Sequence, residues 1–239
     1  MLKTRDLLIE IGTEELPPKS LKGLATAFSE QMCLALNEVE LDFNDTSWYA
    51  TPRRLSLLIT DLDITQKDKE HQRRGPSLSV AFDKNENPTQ ATVGFAKSCG
   101  VEVKELEKLE SGKGAWLVFN TILKGKKTNE IIPGLVEKSL ERLPIAKRMR
   151  WGNYNIEFVR PIKWILILFG NKTLNCEILG IKSVATSFGH RYHHPDALEI
   201  KSPSEYSNIL RKKGHVIVDY NERLSLIRSQ IFSVAKNNK

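Results

Sequence analysis

Apolar residues recur along the chain with two different periods, which predict a set of helices and strands. The clearest helix follows Pro17-Pro18, where apolar residues three and four positions apart form one stripe. The stripe consists of Leu21, Leu24, Ala25, Phe28, Met32, Ala35 and Leu36. Before it, Leu7 to Ile11 has the composition of a strand. Two more short apolar runs, Trp48 to Ala50 and Leu55 to Ile59, predict strands on either side of a corner at Pro52.

The rest of the chain continues to alternate between helical and extended patterns. Further helices are predicted from the Asn87-Pro88 start to Gly100, over Ile132–Leu143, from the Ser202–Glu205 capping box to Gly214, and from Asp219 onward with the stripe Leu224, Ile227, Ile231 and Val234. Further strands are predicted at Ala115–Leu123 after a turn at Gly112-Lys113-Gly114, at Pro161–Phe169 paired with Cys176–Ile181, and at His215–Val218. Together these elements predict an α+β fold with mixed or antiparallel sheets and packed helices.

A charged segment divides this series of elements into two. Residues Thr65 to Gly75, TQKDKEHQRRG, contain almost no apolar side chain and predict a connector. We therefore expect two domains: residues 1–64 as a strand-helix-strand-strand module, and residues 65–239 as a basic α+β region.

Charge is distributed unevenly between the beginning and the remainder of the chain. The 239 residues carry a net charge of 36 − 29 = +7. Residues 1–50 contain four bases and nine acids, a net charge of 4 − 9 = −5, so residues 51–239 carry 7 + 5 = +12. A basic body of this kind favours contact with a polyanion such as nucleic acid, although a solvated basic surface is the alternative.

The composition also bears on location. A charged fraction of 27% and a hydrophobic fraction of 40% are ordinary for a globular domain. No apolar run approaches the roughly 18 residues of a membrane span, and the three cysteines fit neither a zinc spacing nor a disulfide framework. We expect a cytoplasmic protein.

Five motif segments carry information beyond the fold. They are LLIEIGTEELPPKSL at Leu7–Leu21, YATPRRL at Tyr49–Leu55, MRWG at Met149–Gly152, FVRPI at Phe158–Ile162 and GHR at Gly189–Arg191. No general rule of strand-to-helix connection requires a sequence such as TEELPP. In content and order these segments closely resemble the β subunit of the bacterial two-subunit glycyl-tRNA synthetase, and the resemblance covers nearly the whole chain.

This resemblance implies an assembly as well as an activity. In the family, two α and two β subunits form a heterotetramer that attaches glycine to tRNA(Gly) with ATP, for use in translation. The α subunit contains the catalytic core, so ATP and Mg²⁺ are expected there, whereas the β subunit supports tRNA recognition and assembly. Family β subunits are far longer, so we expect this chain to be an amino-terminal part, truncated at its carboxy end. It should include a region similar to the B3/B4 module of phenylalanyl-tRNA synthetase.

The residues themselves indicate little catalytic chemistry. Gly112-Lys113 and Gly125-Lys126 do not complete a phosphate-binding loop, and no nucleophile motif is present. The cluster His190, His193 and His194 is better explained by polar loop residues than by a metal site. We therefore assign no catalytic, cofactor-binding or metal-binding residue.

The adjacent acids Glu14 and Glu15 leave three interpretations open. Acids beside the start of a helix are favoured by its positive end, so a structural helix entry is the first. An ion pair or partner contact, for instance with Arg53 and Arg54, is the second. General acid–base catalysis is the third.

Basic residues are the best candidates for binding. Arginine suits bidentate phosphate contact, and Trp151 and Tyr154 lie among the basic residues that follow Lys147. The predicted tRNA-contact residues are Arg53, Arg54, Arg73, Arg74, Lys147, Arg148, Arg150, Arg160 and Arg191. For each, an internal salt bridge or plain surface charge is the alternative, and Arg160 could instead be a buried structural residue. Correspondingly, the chain could be a stand-alone RNA-binding module or a purely structural assembly domain without tRNA contact.

Overall fold

The protein is described by a computed structural model that covers residues 3–111, 114–152 and 156–237. Its strands are β1 (Thr4–Thr13), β2 (Thr46–Thr51), β3 (Arg54–Asp63), β4 (Lys69–Ser77), β5 (Glu107–Ser111), β6 (Gly114–Leu123), β7 (Met149–Arg150), β8 (Glu157–Phe158), β9 (Ile162–Phe169), β10 (Lys172–Thr173), β11 (Glu177–Ile178), β12 (Ile181–Lys182), β13 (Thr186–Phe188) and β14 (Ala197–Glu199). Its helices are α1 (Pro18–Glu38), α2 (Leu78–Ala81), α3 (Gln90–Cys99), α4 (Thr128–Glu141), α5 (Tyr206–Lys212) and α6 (Tyr220–Asn237), with 3₁₀ turns at Val103–Glu105 and Pro203–Glu205. The predicted α+β class is confirmed.

A five-stranded sheet organises most of the chain. Its strand order is β10-β9-β1-β3-β2, and each neighbouring pair is antiparallel. Strand β1 is central, and it pairs with β9 from Leu7 opposite Phe169 to Thr13 opposite Ile162. The nearly unbroken apolar sequence of β9 follows from this position, because both of its faces are buried.

One face of the sheet packs against α1 and α4. Because successive side chains of a strand point to opposite faces, Leu7, Ile9 and Ile11 of β1 share this face, and all three are fully buried. The predicted stripe of α1 is confirmed, since each of its seven members is buried in the same cluster. This face forms the main hydrophobic core.

The opposite face carries a smaller core. Leu8 of β1 and two leucines of β9 pack there against Tyr206 and Leu210 of α5. Glu10, the next residue of β1 on this face, is also fully buried. A charged side chain thus lies inside the central sheet.

The chain forms two compact units. One comprises residues 3–66 and the described residues from 126 to 237, and the other comprises 67–125. In the smaller unit, β6 is the middle strand of a sheet with order β4-β6-β5, beside α2 and α3. This division differs from the consecutive domains 1–64 and 65–239, because β9 pairs with β1 and so returns the later residues to the first unit.

Several local expectations need correction. The charged run Thr65–Gly75 is largely a strand rather than a connector, since β4 pairs with β6 from Lys69 onward. Helix α3 begins at Gln90 instead of Asn87, because Pro88 forms an isolated bridge with Phe82. Residues 112 and 113 of the predicted turn lie outside the described residues.

The later part of the chain shows three more differences. Strand β9 turns at Gly170-Asn171 into β10, whereas the predicted partner, Cys176–Ile181, contributes to a separate β11-β12 hairpin. Residues 215–218 are not a strand, although Val218 accepts a hydrogen bond from the Ala50 amide at 3.2 Å. The Ser202 side chain makes no capping bond.

The final helix α6 begins as predicted. The Glu222 amide donates to the Asp219 carboxylate at 2.8 Å, which caps the helix. Its predicted stripe is largely exposed, however, including Ile227 and Ile231. None of the helices in the described part of the chain has the length and apolar character that a bilayer crossing demands.

Candidate functional site

Three of the five motif segments meet at one end of the central sheet. The Thr13 amide donates to the Arg53 carbonyl at 2.8 Å, and the Glu14 amide donates to the Pro161 carbonyl at 2.9 Å. From the fourth segment, Arg160 Nε donates to the Glu15 carbonyl at 3.0 Å. The TEEL turn is therefore fixed by backbone contacts to the TPRR corner and to the start of β9.

The Glu14 side chain forms ion pairs at the same place. Its carboxylate lies 3.1 Å from Lys163 Nζ and 3.7 Å from an Arg53 guanidinium nitrogen. The hydrogen bond from Lys163 and the surrounding cations hold the Glu14 pKa below its ordinary value, against a smaller opposing effect of burial. The ion-pair interpretation is thus confirmed for Glu14 with Arg53.

Behind this turn lies a buried polar network centred on Glu10. Arg54 Nη1 lies 3.6 Å from Glu10 Oε2, and Ser187 Oγ donates to Glu10 Oε1 at 2.7 Å. Arg54 also donates to Ser187 Oγ at 3.2 Å and to the Phe188 carbonyl. A buried charge is tolerated when it is paired and hydrogen-bonded, and these contacts pair the two ions, although Arg54 Nε has no hydrogen-bond partner among the described residues.

Trp164 completes this network because Gly12 leaves room for it. Gly12 lies directly opposite Trp164 in the β1–β9 ladder. A Cβ atom on Gly12 would come within 2.0 Å of the indole ring, so only glycine lets the ring lie across the strand. The indole nitrogen Nε1 then donates to Glu10 Oε1, and the Arg54 guanidinium lies 5.7 Å from the ring centroid.

Tyr206 closes the far side of the network. Its hydroxyl lies 2.6 Å from Ser56 Oγ, and the residue is buried. Burial, reinforced by the nearby Glu10 charge, raises the Tyr206 pKa well above its usual value, and Arg54 offsets this only in part. The hydroxyl therefore stays protonated at neutral pH and remains available as a donor.

The fifth motif segment forms a rigid loop beside the network. A Cβ on Gly189 would lie 2.8 Å from Gly214 Cα, so the two backbones touch. The His190 amide donates to the Gly214 carbonyl at 2.6 Å, and His190 Nδ1 accepts from the amides of Tyr192 and His193, each at 3.3 Å. These bonds hold Tyr192 at the tip of a closed turn.

These elements enclose a cleft of about 390 Å³. Its lining includes the following residues: Glu15, Pro52, Arg53, Arg54, Trp164, His190, Arg191, Tyr192, His215 and Arg223. Four arginines and one glutamate give the lining a formal charge of 4 − 1 = +3, although Glu10 and Glu14 balance two of the arginines from behind. The groups presented are guanidinium donors, imidazoles and aromatic rings, a set suited to binding an anionic, planar ligand.

The predicted tRNA-contact residues occupy three separate places. Arg53, Arg54 and Arg191 line the cleft, with Arg160 directly behind it. Lys147, Arg148 and Arg150 are exposed at the β7 edge, where Arg148 donates to the Glu141 carbonyl and Arg150 pairs with Glu157 at 3.4 Å. Arg73 and Arg74 belong to the smaller unit, where Arg74 lies 3.5 Å from the centroid of the Trp116 ring.

For two of these residues the structure favours an internal role. Arg54 is only 2% exposed, and its guanidinium is held by Glu10, so the predicted direct contact with tRNA does not fit this residue. Arg160 is half-buried and donates to the carbonyls of Glu15 and Val159, in line with its alternative structural interpretation.

Sequence reasoning missed several residues of the site. Trp164, Tyr192, His215 and Arg223 carry no local signal that separates them from core or loop residues. Glu10 does carry one, because a single acid inside a buried strand requires a partner. That requirement points to Arg54, but the periodicity of the chain does not reveal the distance between them.

Comparison with known proteins identifies relatives of the chain. A sequence model of the family described as "Glycyl-tRNA synthetase beta subunit" matches residues 7–239. The chain is 49% identical over 232 residues to the glycine–tRNA ligase beta subunit of Hahella chejuensis, covering 97% of this chain and 34% of that protein. Those of Marinobacter nauticus and Pseudoalteromonas translucida are 44% and 43% identical, covering 98% of this chain and 34% of each relative. The chain thus spans about a third of the length of these relatives.

Proposed function

The chain belongs to the glycyl-tRNA synthetase β subunit family, and on this premise we propose that it is the amino-terminal part of the β subunit of a glycine–tRNA ligase. In this role it supports tRNA(Gly) recognition and subunit assembly for the ATP-dependent attachment of glycine to tRNA. The observation that carries the proposal is the family match over residues 7–239.

The chemical step is assigned to a separate α subunit, within a cytoplasmic assembly of two α and two β chains. ATP and Mg²⁺ would be bound there. The character of the cleft supports this division of labour, because its lining includes guanidinium donors and aromatic rings suited to holding a ligand. The proposed contribution of this chain to the reaction is to recognise and position tRNA.

The β7 edge is the most accessible of the basic regions in the larger unit. Lys147, Arg148 and Arg150 are all exposed, and the Arg150 side chain forms an ion pair with an exposed glutamate, Glu157. Exposed ion pairs of this kind contribute little stability, so a phosphate could replace Glu157 as the partner at low cost. We propose this edge as a surface for the tRNA backbone, and Arg191 at the cleft as a second, separate contact.

An assembly domain without tRNA contact is the second candidate function. The exposed apolar residues of α6, such as Ile231 and Phe232, favour it, since exposed apolar patches commonly mark protein contacts.

A charge-reversal experiment separates the two functions. In the complete β subunit, Arg148→Glu with Arg150→Glu should weaken tRNA binding. The slope of log affinity against log salt should fall by about two, roughly one for each phosphate that the protein no longer neutralises. Binding to the α subunit, measured by co-purification, should persist.

A matched control is available in Lys172→Glu with Lys201→Glu. This pair changes the net charge equally at exposed positions elsewhere in the larger unit. If the control pair weakens tRNA binding as much as the β7-edge pair does, the loss comes from the change in net charge and not from a contact at the β7 edge. If neither changes tRNA affinity, the assembly function is favoured instead.

A further inference from the structure

We propose that the cleft beside β1 binds one unpaired nucleotide of an RNA strand, with its base stacked on Tyr192 and its phosphate held by Arg191. The inference rests on the proposed function and deepens it, because it names the part of the RNA that this site would take.

The first argument is the charge of the cleft. Its lining includes four arginines and a single acid, Glu15. Arg54 is bound to Glu10, Ser187 and Phe188, whereas Arg191 is exposed to solvent. An exposed guanidinium in a positively charged cleft is suited to bidentate contact with a phosphate.

The second argument is an exposed aromatic ring at the rim. Tyr192 is 79% exposed, an unusual position for a large ring in a loop fixed by hydrogen bonds. The Arg191 guanidinium lies 5.8 Å from the ring centroid. A tyrosine face next to an arginine is the arrangement on which unpaired RNA bases stack.

The third argument is that the rim is already ordered. The turn from Gly189 to His194 is closed by the bond from the His194 amide to the His190 carbonyl at 2.9 Å. His190 fixes the amides of Tyr192 and His193 from inside the turn. A ligand binding here would lose little of its binding free energy to ordering the loop.

The size of the cleft selects the ligand. About 390 Å³ lies near the lower end of small-molecule pockets, which span about 300–1,000 Å³. One nucleotide fits such a volume, whereas a base-paired helix does not. RNA is commonly read through unpaired bases that are splayed out of a strand.

The test uses the assembled enzyme with a complete β subunit and a short single-stranded RNA as the probe. Tyr192→Ala should weaken binding of this probe about 5- to 140-fold, the range for loss of one stacked base, whereas Tyr192→Phe should bind as the wild type does. Because Tyr192 is exposed, its replacement should leave the fold intact. Ile122→Ala, which removes an apolar side chain that is 64% exposed on β6, is the control and should have no effect on binding of the probe.

The outcomes distinguish this inference from the proposed function. Unchanged binding of the single strand by Tyr192→Ala overturns the inference while leaving tRNA binding by the β7 edge intact. If AMP binds as tightly as the RNA strand does, the cleft is a site for free nucleotides, and the inference is overturned as well. If the wild-type assembly binds no tRNA, the proposed function itself fails.

Discussion

The two faces of the central sheet are built from the same strands but differ in chemistry. Toward α1 and α4, β1 contributes Leu7, Ile9 and Ile11 to an apolar core. Toward α5, it contributes Leu8, then Glu10, and then Gly12, which lies under an indole ring. Neighbouring residues of β1 therefore point to two different environments. One face of the sheet is used for apolar packing, and the other holds buried ions.

This difference indicates how the fold divides its tasks. The apolar face gains stability from area removed from water, which needs no particular geometry. The polar face depends on a few directed bonds, and replacing its ion pair by apolar side chains would often be neutral or stabilising. Its value lies in placing Arg54 and Trp164 at the cleft, so variants of the two faces should affect different properties.

The largest effect is expected from Glu10→Leu in the complete β subunit. It leaves Arg54 buried without its carboxylate, which should cost about 3–5 kcal/mol, measured as faster hydrogen exchange of the β1 and β3 amides. The double variant Glu10→Leu with Arg54→Met removes both charges and should recover most of this loss. If the double variant is as unstable as the single one, the pairing is not what stabilises the polar face.

A smaller effect is expected from removing one atom group on each face. Ser187→Ala removes hydrogen bonds to charged partners and should cost about 1.5–3 kcal/mol, together with weaker binding of single-stranded RNA. Ile167→Val on the apolar face should cost about 0.5–1.5 kcal/mol with RNA affinity unchanged. Equal loss of RNA affinity in both variants, measured at a temperature where both are folded, would remove the proposed division between the faces.

The smallest effect is expected from the Glu14 ion pairs, and it depends on pH. The folded-state pKa of Glu14 lies below its ordinary value of 4.5, so its ion pairs stabilise the fold above pH 4.5 and this contribution disappears as pH falls through the lower folded-state value. With a side chain 38% exposed to solvent, the contribution should stay under about 1 kcal/mol. Glu14→Gln should therefore be slightly less stable than wild type at pH 7 and equal to it in acid, as measured by thermal unfolding. A difference that grows in acid would contradict this assignment.

Local patterns predicted the apolar face well and the polar face poorly. The stripe of α1 repeats within one helix, so its burial follows from spacing alone. The partners of Glu10 cannot be found in this way, because Arg54 and Ser187 lie 44 and 177 residues further along the chain. The motif segments marked many residues around the cleft but not their arrangement, which arises only when the strands pair.

The error at β4 has a different physical cause. Its sequence, KEHQRRGPS, is exposed along most of its length and lacks the alternation by which strands are recognised. Pairing with β6 makes it a strand in spite of its composition. Charged residues are also a common protection of edge strands against unwanted pairing, so a run of charges is weak evidence for a connector.

The central position of β1 has a consequence for how the protein is made. Its partner β9 follows so late that Leu7 and Phe169 are separated by 169 − 7 = 162 residues. At translation rates of about 5–20 residues per second, one edge of β1 stays open for roughly 8 to 30 s on the ribosome. During that interval the first 66 residues present an apolar strand with no neighbour on one side, so chaperone binding to the nascent chain should concentrate there.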